Sequence, residues 1–157
     1  MLRGKRNCLL KENYHSPMKN KLFILFLFAL FFNACKRELG DPDTKGYPAE
    51  VGQILLTKCA TAGCHNDASN AAAGGLNLSS WEKLFQGGNG SACVIPYRSD
   101  FSTLCYYVNS FSDLGVSLIP RMPLNQDALS REETEVLFNW INNGAPNSEG
   151  KIKFEDN

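Results

Sequence analysis

Two cysteines and a histidine lie within seven residues of this 157-residue chain, in the stretch CATAGCH at positions 59–65. Thiols at so short a spacing can hold a covalent haem, hold a metal or close a small disulfide loop. Covalent haem needs two thiols that reach both vinyl groups of one porphyrin and a histidine that binds its iron. CATAGCH supplies these groups, although four residues separate its cysteines where two are usual. Gly63 favours the required bulge, because glycine tolerates backbone conformations closed to other residues.

The first 34 residues have the features of an export leader. Residues 22–32 read LFILFLFALFF, an apolar run of eleven residues with two lysines just before it. Such a run is too short to span a membrane comfortably and is typical of a signal peptide. The following FFNAC resembles a bacterial lipoprotein signal, in which the cysteine carries lipid and becomes the first residue. We therefore predict a leader over residues 1–34, with Met18 as a second candidate start, and a lipidated Cys35; an uncleaved N-terminal helix is the alternative.

Composition divides the rest of the chain into three parts. Residues 35–47 are charged and interrupted by glycine and proline, which predicts a flexible tether to the membrane. Residues 48–146 form the predicted domain, and residues 147–157 form a polar tail. This arrangement places the domain outside the cytoplasm, at the periplasmic or cell-surface side of a bacterial membrane.

The charge balance narrows the classes of partner. Six of the 16 basic residues and one of the 16 acidic residues precede Cys35, so the remainder has a net charge near minus five. Nucleic-acid binding needs a basic stripe, and we therefore predict no nucleic-acid partner. An acidic surface suits a partner protein that carries basic residues.

The chain after the leader contains one histidine and one methionine. Histidines occur at positions 15 and 65, and methionines at positions 1, 18 and 122. Met122 lies between two prolines in the stretch PRMP, which stiffen the backbone around it. His65 and Met122 are the natural axial pair for a haem iron, and such an iron transfers electrons but has no open site for substrate. A methionine that fills a gap in the core is the alternative interpretation of Met122.

Apolar periodicity predicts an all-α domain of about four short helices with long Gly-rich loops. The apolar positions are Val51, Ile54 and Leu55, leading into Cys59; Trp81, Leu84 and Phe85; Leu104, Cys105 and Val108; and Val136, Leu137, Trp140 and Ile141. The candidate N-caps are Ser79 or Ser80 for the second helix, Ser99 or Asp100 for the third, and a capping box of Ser130 with Glu133 for the fourth. Loops of this length are unusual in a small domain unless a group other than side chains fills its middle.

These pieces together resemble the small mono-haem c-type cytochrome domains of bacterial lipoproteins, of the Bacteroidetes and planctomycete kind. The resemblance covers residues 47–146. It depends on the helix that enters CATAGCH and on the segments GGLNLSSWEKLF, VIPYRSDFSTL, PRMP and LSREETEVLFNWINNGAP. Pro96-Tyr97 departs from the pattern, where Pro-Gly is usual.

The resemblance implies a cytochrome c-like fold around one covalent haem c and a role in electron transfer with a redox partner protein. It implies that Cys59 and Cys64 form the thioethers, that His65 is the proximal iron ligand and that Met122 is the distal one. It also implies that the first and last helices pack together beside the haem. Three aromatic residues are candidates either for the pocket wall or for ordinary core, namely Trp81, Phe85 and Trp140.

Cys93 and Cys105 are additional cysteines in an exported chain, and we predict a disulfide between them. An unstrained disulfide contributes roughly 2 to 4 kcal/mol to stability. The alternative is a zinc site that these cysteines share with Cys59 or Cys64 and His65. The wide spacing of the pair disfavours zinc, because structural zinc sites usually pair their ligands at short spacing.

Other functions remain as alternatives to electron transfer. One is a haem-free exported module stapled by the disulfides Cys59–Cys64 and Cys93–Cys105. Another is a haem-based sensor, in which a small gas displaces Met122. An enzyme is disfavoured, because Met122 closes the iron and no histidine after the leader is left for general base catalysis once His65 binds iron.

Overall fold

The computed structural model describes residues 43–154, and this part of the chain is helical and has no strand. Its α-helices are α1 (Ala49–Ile54), α2 (Trp81–Leu84), α3 (Thr103–Val108) and α4 (Arg131–Asn142). The predicted all-α domain of four short helices is confirmed for these residues. The predicted leader and the lipidation site Cys35 lie outside them. None of the helices within residues 43–154 is long and apolar enough to cross a membrane.

The first helix reaches Cys59 through a change of helical type. Pro48 precedes α1 with φ −54°, and the helix continues beyond Ile54 as a π-helical turn, Leu55–Cys59. The amide of Ala60 closes this turn on the carbonyl oxygen of Leu55 at 2.8 Å. π-Helical turns, which are wider than α-helical ones, often occur next to functional sites, where they reorient a side chain at the helix end.

The N-caps of α2 and α3 differ from one another. Ser80, one of the two serines that the sequence predicts as caps, is the N-cap of α2. Its hydroxyl accepts a hydrogen bond from the amide of Lys83 at 3.3 Å. The predicted cap of α3 is wrong, because Ser99 lies in a 3₁₀ turn, Ser99–Phe101, and α3 begins after Ser102 without a side-chain cap. The amide of Ser99 donates instead to Oδ1 of Asn142, at the end of α4, at 3.1 Å.

The capping box at the start of α4 is confirmed. The hydroxyl of Ser130 accepts from the amide of Glu133, and the Glu133 carboxylate accepts from the amide of Ser130 at 2.9 Å. One side of α4 is buried, including Leu137, Trp140 and Ile141. α4 packs against both α1 and α3, and the packing of first and last helices agrees with the prediction.

Buried aromatic side chains join the two ends of the described chain. The Tyr47 hydroxyl donates to the carbonyl oxygen of Ser80 at 2.9 Å, and the indole of Trp81 donates to that of Ala145 at 2.9 Å. The amide of Ser148 donates to the carbonyl oxygen of Gly46 at 2.9 Å. The folded unit therefore includes residues 44–47 and residues after 146, which the sequence assigns to the tether and the tail.

We expect Ser130→Ala to lower the free energy of unfolding by about 1 kcal/mol, because the amide of Glu133 in the first turn of α4 loses its side-chain acceptor. Urea unfolding of the variant and the wild type measures the difference. Ser110→Ala is the matched control, since Ser110 is exposed and lies outside every helix. Equal losses in the two variants would contradict a stabilising role for the cap.

Candidate functional site

Backbone hydrogen bonds fold the four residues between Cys59 and Cys64 into a closed bulge. The amide of His65 donates to the carbonyl oxygen of Cys59 at 3.0 Å, and the amide of Cys64 donates to that of Thr61 at 3.0 Å. Gly63 has φ +80°, in the left-handed region that glycine tolerates. This conformation agrees with the prediction that Gly63 favours the bulge. The widened spacing therefore still returns the second cysteine and the histidine to the first cysteine.

Two polar residues that the sequence analysis missed support this bulge. The side-chain amide of Asn66 donates to the carbonyl oxygen of Thr61 at 2.5 Å, and its Oδ1 accepts from the amide of Ser69 at 3.1 Å. The hydroxyl of Ser69 donates to the carbonyl oxygen of Cys64 at 2.6 Å. An asparagine followed by a serine is the sequence signal for such a side-chain-closed turn.

The ring of His65 has a defined orientation. Its Nδ1 lies 3.2 Å from the carbonyl oxygen of Leu76. A carbonyl can only accept, so Nδ1 is the nitrogen that donates, and in the neutral ring Nε2 is then the nitrogen with the lone pair. Within residues 43–154 no hydrogen bond is made to Nε2. The amide of Leu78 donates to the carbonyl oxygen of His65 at 2.8 Å, so the segment 76–78 holds both the ring and the backbone of His65.

The cysteines differ in their burial. Cys59, Cys93 and Cys105 are buried, whereas Cys64 is half-buried. Burial is the main cause that raises the pKa of Cys59 to about 12, of Cys93 to about 11 and of Cys105 to about 12. All four are free thiols in this structure. The Cys93–Cys105 disulfide is thus not formed here and stays a prediction.

Met122 lies in a separate loop that is fixed to α3. Its amide donates to the carbonyl oxygen of Tyr107 at 2.8 Å, and its side chain is half-buried against the core cluster that includes Cys59. The structure thus brings Cys59, Cys64 and His65 together in one loop and holds Met122 against the same core from another. Large apolar side chains around Met122 are exposed, namely Val116, Leu118, Ile119 and Leu124.

The candidate pocket aromatics make core contacts. Trp81 and Trp140 are buried, and the indole of Trp140 donates to the carbonyl oxygen of Pro146 at 2.9 Å. Phe85 packs edge-on against Trp81 at 5.0 Å between ring centroids. These contacts fit the interpretation of all three as ordinary core.

Tyr97, the departure from the usual Pro-Gly, adopts a conformation that favours glycine. Its φ is +66°, and its amide donates to the carbonyl oxygen of Ile141 at 2.8 Å. A Cβ on Gly144 would lie 2.9 Å from Cζ of Tyr97. The glycine after α4 therefore leaves room for this ring.

Two further observations bear on what the domain can bind. Among the described residues, no three His, Cys, Asp or Glu side chains are grouped so that they could hold a metal ion, so the zinc alternative gains no support. A groove of about 460 Å³ lies between α1 and α4; of the residues proposed for the site its lining includes Trp140 but not Cys59, Cys64, His65 or Met122. The lining consists of Pro48, Ala49, Glu50, Val51, Val136, Asn139 and Trp140.

In the reduced, haem-free chain we expect iodoacetamide to label Cys64 much faster than Cys59, Cys93 or Cys105. Burial keeps the reagent from these three thiols, and at pH 8 a thiol whose pKa is raised to about 12 is almost entirely in the unreactive protonated form. Peptide mass spectrometry over a time course measures the four rates, and labelling in urea is the control that should equalise them. Fast labelling of Cys59 in the folded chain would contradict its burial.

Comparison of the chain with protein-family models, with curated proteins and with solved structures gives no match.

Proposed function

We propose that this protein is a c-type cytochrome that carries single electrons on one covalently bound haem. The observation that carries the proposal is the orientation of His65, directly after Cys64, by the carbonyl oxygen of Leu76 at 3.2 Å. Histidines that bind metals typically donate their other ring N–H to a carbonyl or carboxylate in this way, which fixes the tautomer and the ring. The fold class supports the proposal, since the described domain is helical with long loops.

The residues of the bulge fit a covalent haem. Cys59 and Cys64 offer two thiols whose backbones the His65–Cys59 hydrogen bond of 3.0 Å draws together. Each thiol would form a thioether with one vinyl group, and His65 would bind the iron through Nε2. Haem supplies an iron that gains or loses one electron. The chain's contribution is to hold the histidine in one orientation, in which Nδ1 donates to the Leu76 carbonyl oxygen and Nε2 is the nitrogen left for iron.

Met122 is the distal ligand that we assign. Its amide is fixed to α3 by the hydrogen bond to Tyr107, and its side chain packs against the core that also contains Cys59. With both His65 and Met122 bound, the haem iron would have no position left for substrate, and such haem sites transfer electrons. This is why we propose a carrier and not an enzyme; a sensor would require a ligand that leaves the iron easily.

We further propose that the domain is exported and attached to a bacterial membrane by lipid on Cys35, where it meets a redox partner protein. Residues 43–154 contain eight basic and eleven acidic residues. Most of the basic side chains form ion pairs with carboxylates of the same domain: Lys45, Lys58, Lys83, Arg98, Arg131 and Lys153. Each of these ion pairs also occupies a carboxylate, so what the domain offers a partner is its excess of three acidic residues, which suits a basic docking surface.

The first test is covalent haem. We expect the chain, expressed from Met18 in a host that matures c-type cytochromes, to show sharp reduced absorption bands and a haem stain that survives denaturing electrophoresis. The variant Cys59→Ala/Cys64→Ala should lose the stain, because it has no thiol in the bulge. Ser110→Ala, at an exposed residue outside the bulge, is a control that keeps both thiols.

A colourless, folded protein from a host that matures a control cytochrome would overturn the proposal. It would favour the alternative of a haem-free exported module, for which the backbone closure of the bulge between Cys59 and Cys64 is the supporting observation. That module would contain disulfides and show no visible absorption.

The second test concerns Met122. We expect Met122→Ala to keep the covalent haem, because both thioethers remain, and to lose the weak absorption of the methionine–iron bond in the oxidised protein. Leu124→Ala is the matched control, since Leu124 is an exposed apolar residue of the same loop. An unchanged methionine–iron absorption in Met122→Ala would exclude Met122 as the ligand.

A further inference from the structure

The chain from Asn109 to Met122 leaves α3, forms a largely exposed loop and returns to α3. Its only regular element is the 3₁₀ turn Ser112–Leu114. Loops of this length with little secondary structure of their own are uncommon in small domains and are usually functional. Because Met122 lies at the end of this loop, the contacts that fix the loop also fix the methionine.

The loop returns to the C-terminal end of α3 at two points. The amide of Leu118 donates to the carbonyl oxygen of Tyr106 at 2.9 Å, and the amide of Met122 donates to that of Tyr107 at 2.8 Å. The last carbonyl groups of a helix have no partner within the helix. The loop therefore supplies donors for two carbonyl oxygens at the end of α3, and the second of these hydrogen bonds places Met122.

Asn109, the C-cap of α3, closes the first part of the loop with its side chain, and the residue is only 1% exposed. Its Nδ2 donates to the carbonyl oxygens of Gly115 at 3.1 Å and Val116 at 3.3 Å, and its Oδ1 accepts from the amide of Phe111 at 2.9 Å. The hydroxyl of Ser117 donates to the carbonyl oxygen of Asn109 at 2.9 Å. The polar atoms of this side chain are thus all used to hold the backbone of the loop.

Arg131, at the start of α4, holds the same loop from outside. Its guanidinium donates to the two carboxylate oxygens of Asp113 at 2.9 and 3.0 Å, and it lies 4.5 Å from the centroid of the Phe111 ring. The side chains of this ion pair are 41% and 63% exposed, and exposed ion pairs contribute little to stability. Hydrogen bonds of a buried side chain are stronger, because water does not compete for them. Asn109 is therefore the stronger of the two supports.

We propose that Asn109 is the positioning residue of Met122: by fixing the loop, it keeps the methionine thioether where it can bind the haem iron. This inference rests on the proposed function. Asn109 acts through the loop backbone, and the iron ligand is Met122 itself. A ligand on a loop with several conformations binds with an affinity that is reduced by the fraction of time spent in the competent one. Loosening the loop should therefore weaken the methionine–iron bond while both thioethers and His65 stay in place.

The test compares the exported full-length chain with Asn109→Ala and Ser102→Ala. Imidazole, which competes with methionine for the iron, is titrated into each oxidised protein at neutral pH. We expect Asn109→Ala to bind imidazole about tenfold more tightly, as the loss of about one net hydrogen bond predicts. The weak methionine–iron absorption should also decrease in this variant, whereas Ser102→Ala should stay near the wild type in both measurements.

Ser102→Ala is the matched control, because Ser102 is a buried polar residue at the opposite end of α3. Its hydroxyl donates to the carbonyl oxygen of Arg98 at 2.7 Å and accepts from the amide of Ile95 at 2.9 Å. The control therefore removes buried hydrogen bonds from the same helix without touching the loop of Met122. A merely structural role of Asn109 predicts equal changes in the two variants.

A milder variant, Ser117→Ala, keeps the test decisive if Asn109→Ala folds poorly. Ser117 is exposed, and the variant loses only the hydrogen bond to the carbonyl oxygen of Asn109. We expect a smaller tightening of imidazole binding in the same direction. Hydrogen exchange in the haem-free chain measures the loop directly: the amides of Leu118 and Met122 should exchange several-fold faster in the loop variants and unchanged in Ser102→Ala.

The possible results separate this inference from the proposed function. Haem-loaded Asn109→Ala with the imidazole affinity of Ser102→Ala would overturn the positioning role and leave the cytochrome. So would an unchanged Ser117→Ala in a case where Asn109→Ala does not fold. If every form lacks haem, the cytochrome proposal fails, and the Met122 amide still decides: faster exchange in Asn109→Ala than in Ser102→Ala supports Asn109 as the residue that places Met122, and equal exchange overturns it.

Discussion

The hydrogen bond from the amide of His65 to the carbonyl oxygen of Cys59, at 3.0 Å, closes the chain on itself directly after a π-helical turn. The remaining features of the site depend on this closure, because it fixes the position of the His65 backbone relative to Cys59. The helix end is in turn fixed to α4, because the ammonium group of Lys58 forms an ion pair with Glu133 at 2.6 Å. Glu133 is also the capping-box carboxylate. One side chain therefore connects the start of α4 to the residue before Cys59.

This connection explains a shift in the acidity of Glu133. The hydrogen bond from Lys58 is the main cause that lowers the pKa of the carboxyl group, and the amide of Ser130 adds to it. The ionised carboxylate is the form that both donors favour, and it lies in the first turn of α4, where the helix dipole also favours negative charge. The candidate site and α4 are thus stabilised by the same carboxylate.

Sequence patterns predicted the helices because their causes are local. Apolar spacing and the Ser130–Glu133 pair are visible in the sequence and mark where the helices lie, while packing of their apolar faces supplies most of the stability of helices this short. The cap of α3 was not predictable in this way, because the amide of Ser99 finds its acceptor on Asn142, far along the chain. The ends of the domain escaped prediction for the same reason, since Gly46 and Ser148 are joined by a non-local hydrogen bond.

The candidate site also combines features with local causes and features with non-local ones. The grouping of Cys59, Cys64 and His65 follows from sequence spacing, whereas the orientation of His65 depends on Leu76, eleven positions away. Met122 is held by α3 through Tyr107 and not by its flanking prolines alone. The two residues are supported in different ways. A carbonyl oxygen orients the ring of His65, whereas Met122 lies on a loop with exposed apolar neighbours. The ring of His65 is therefore oriented before any ligand binds, and the loop of Met122 leaves apolar surface that a flat, apolar group could cover.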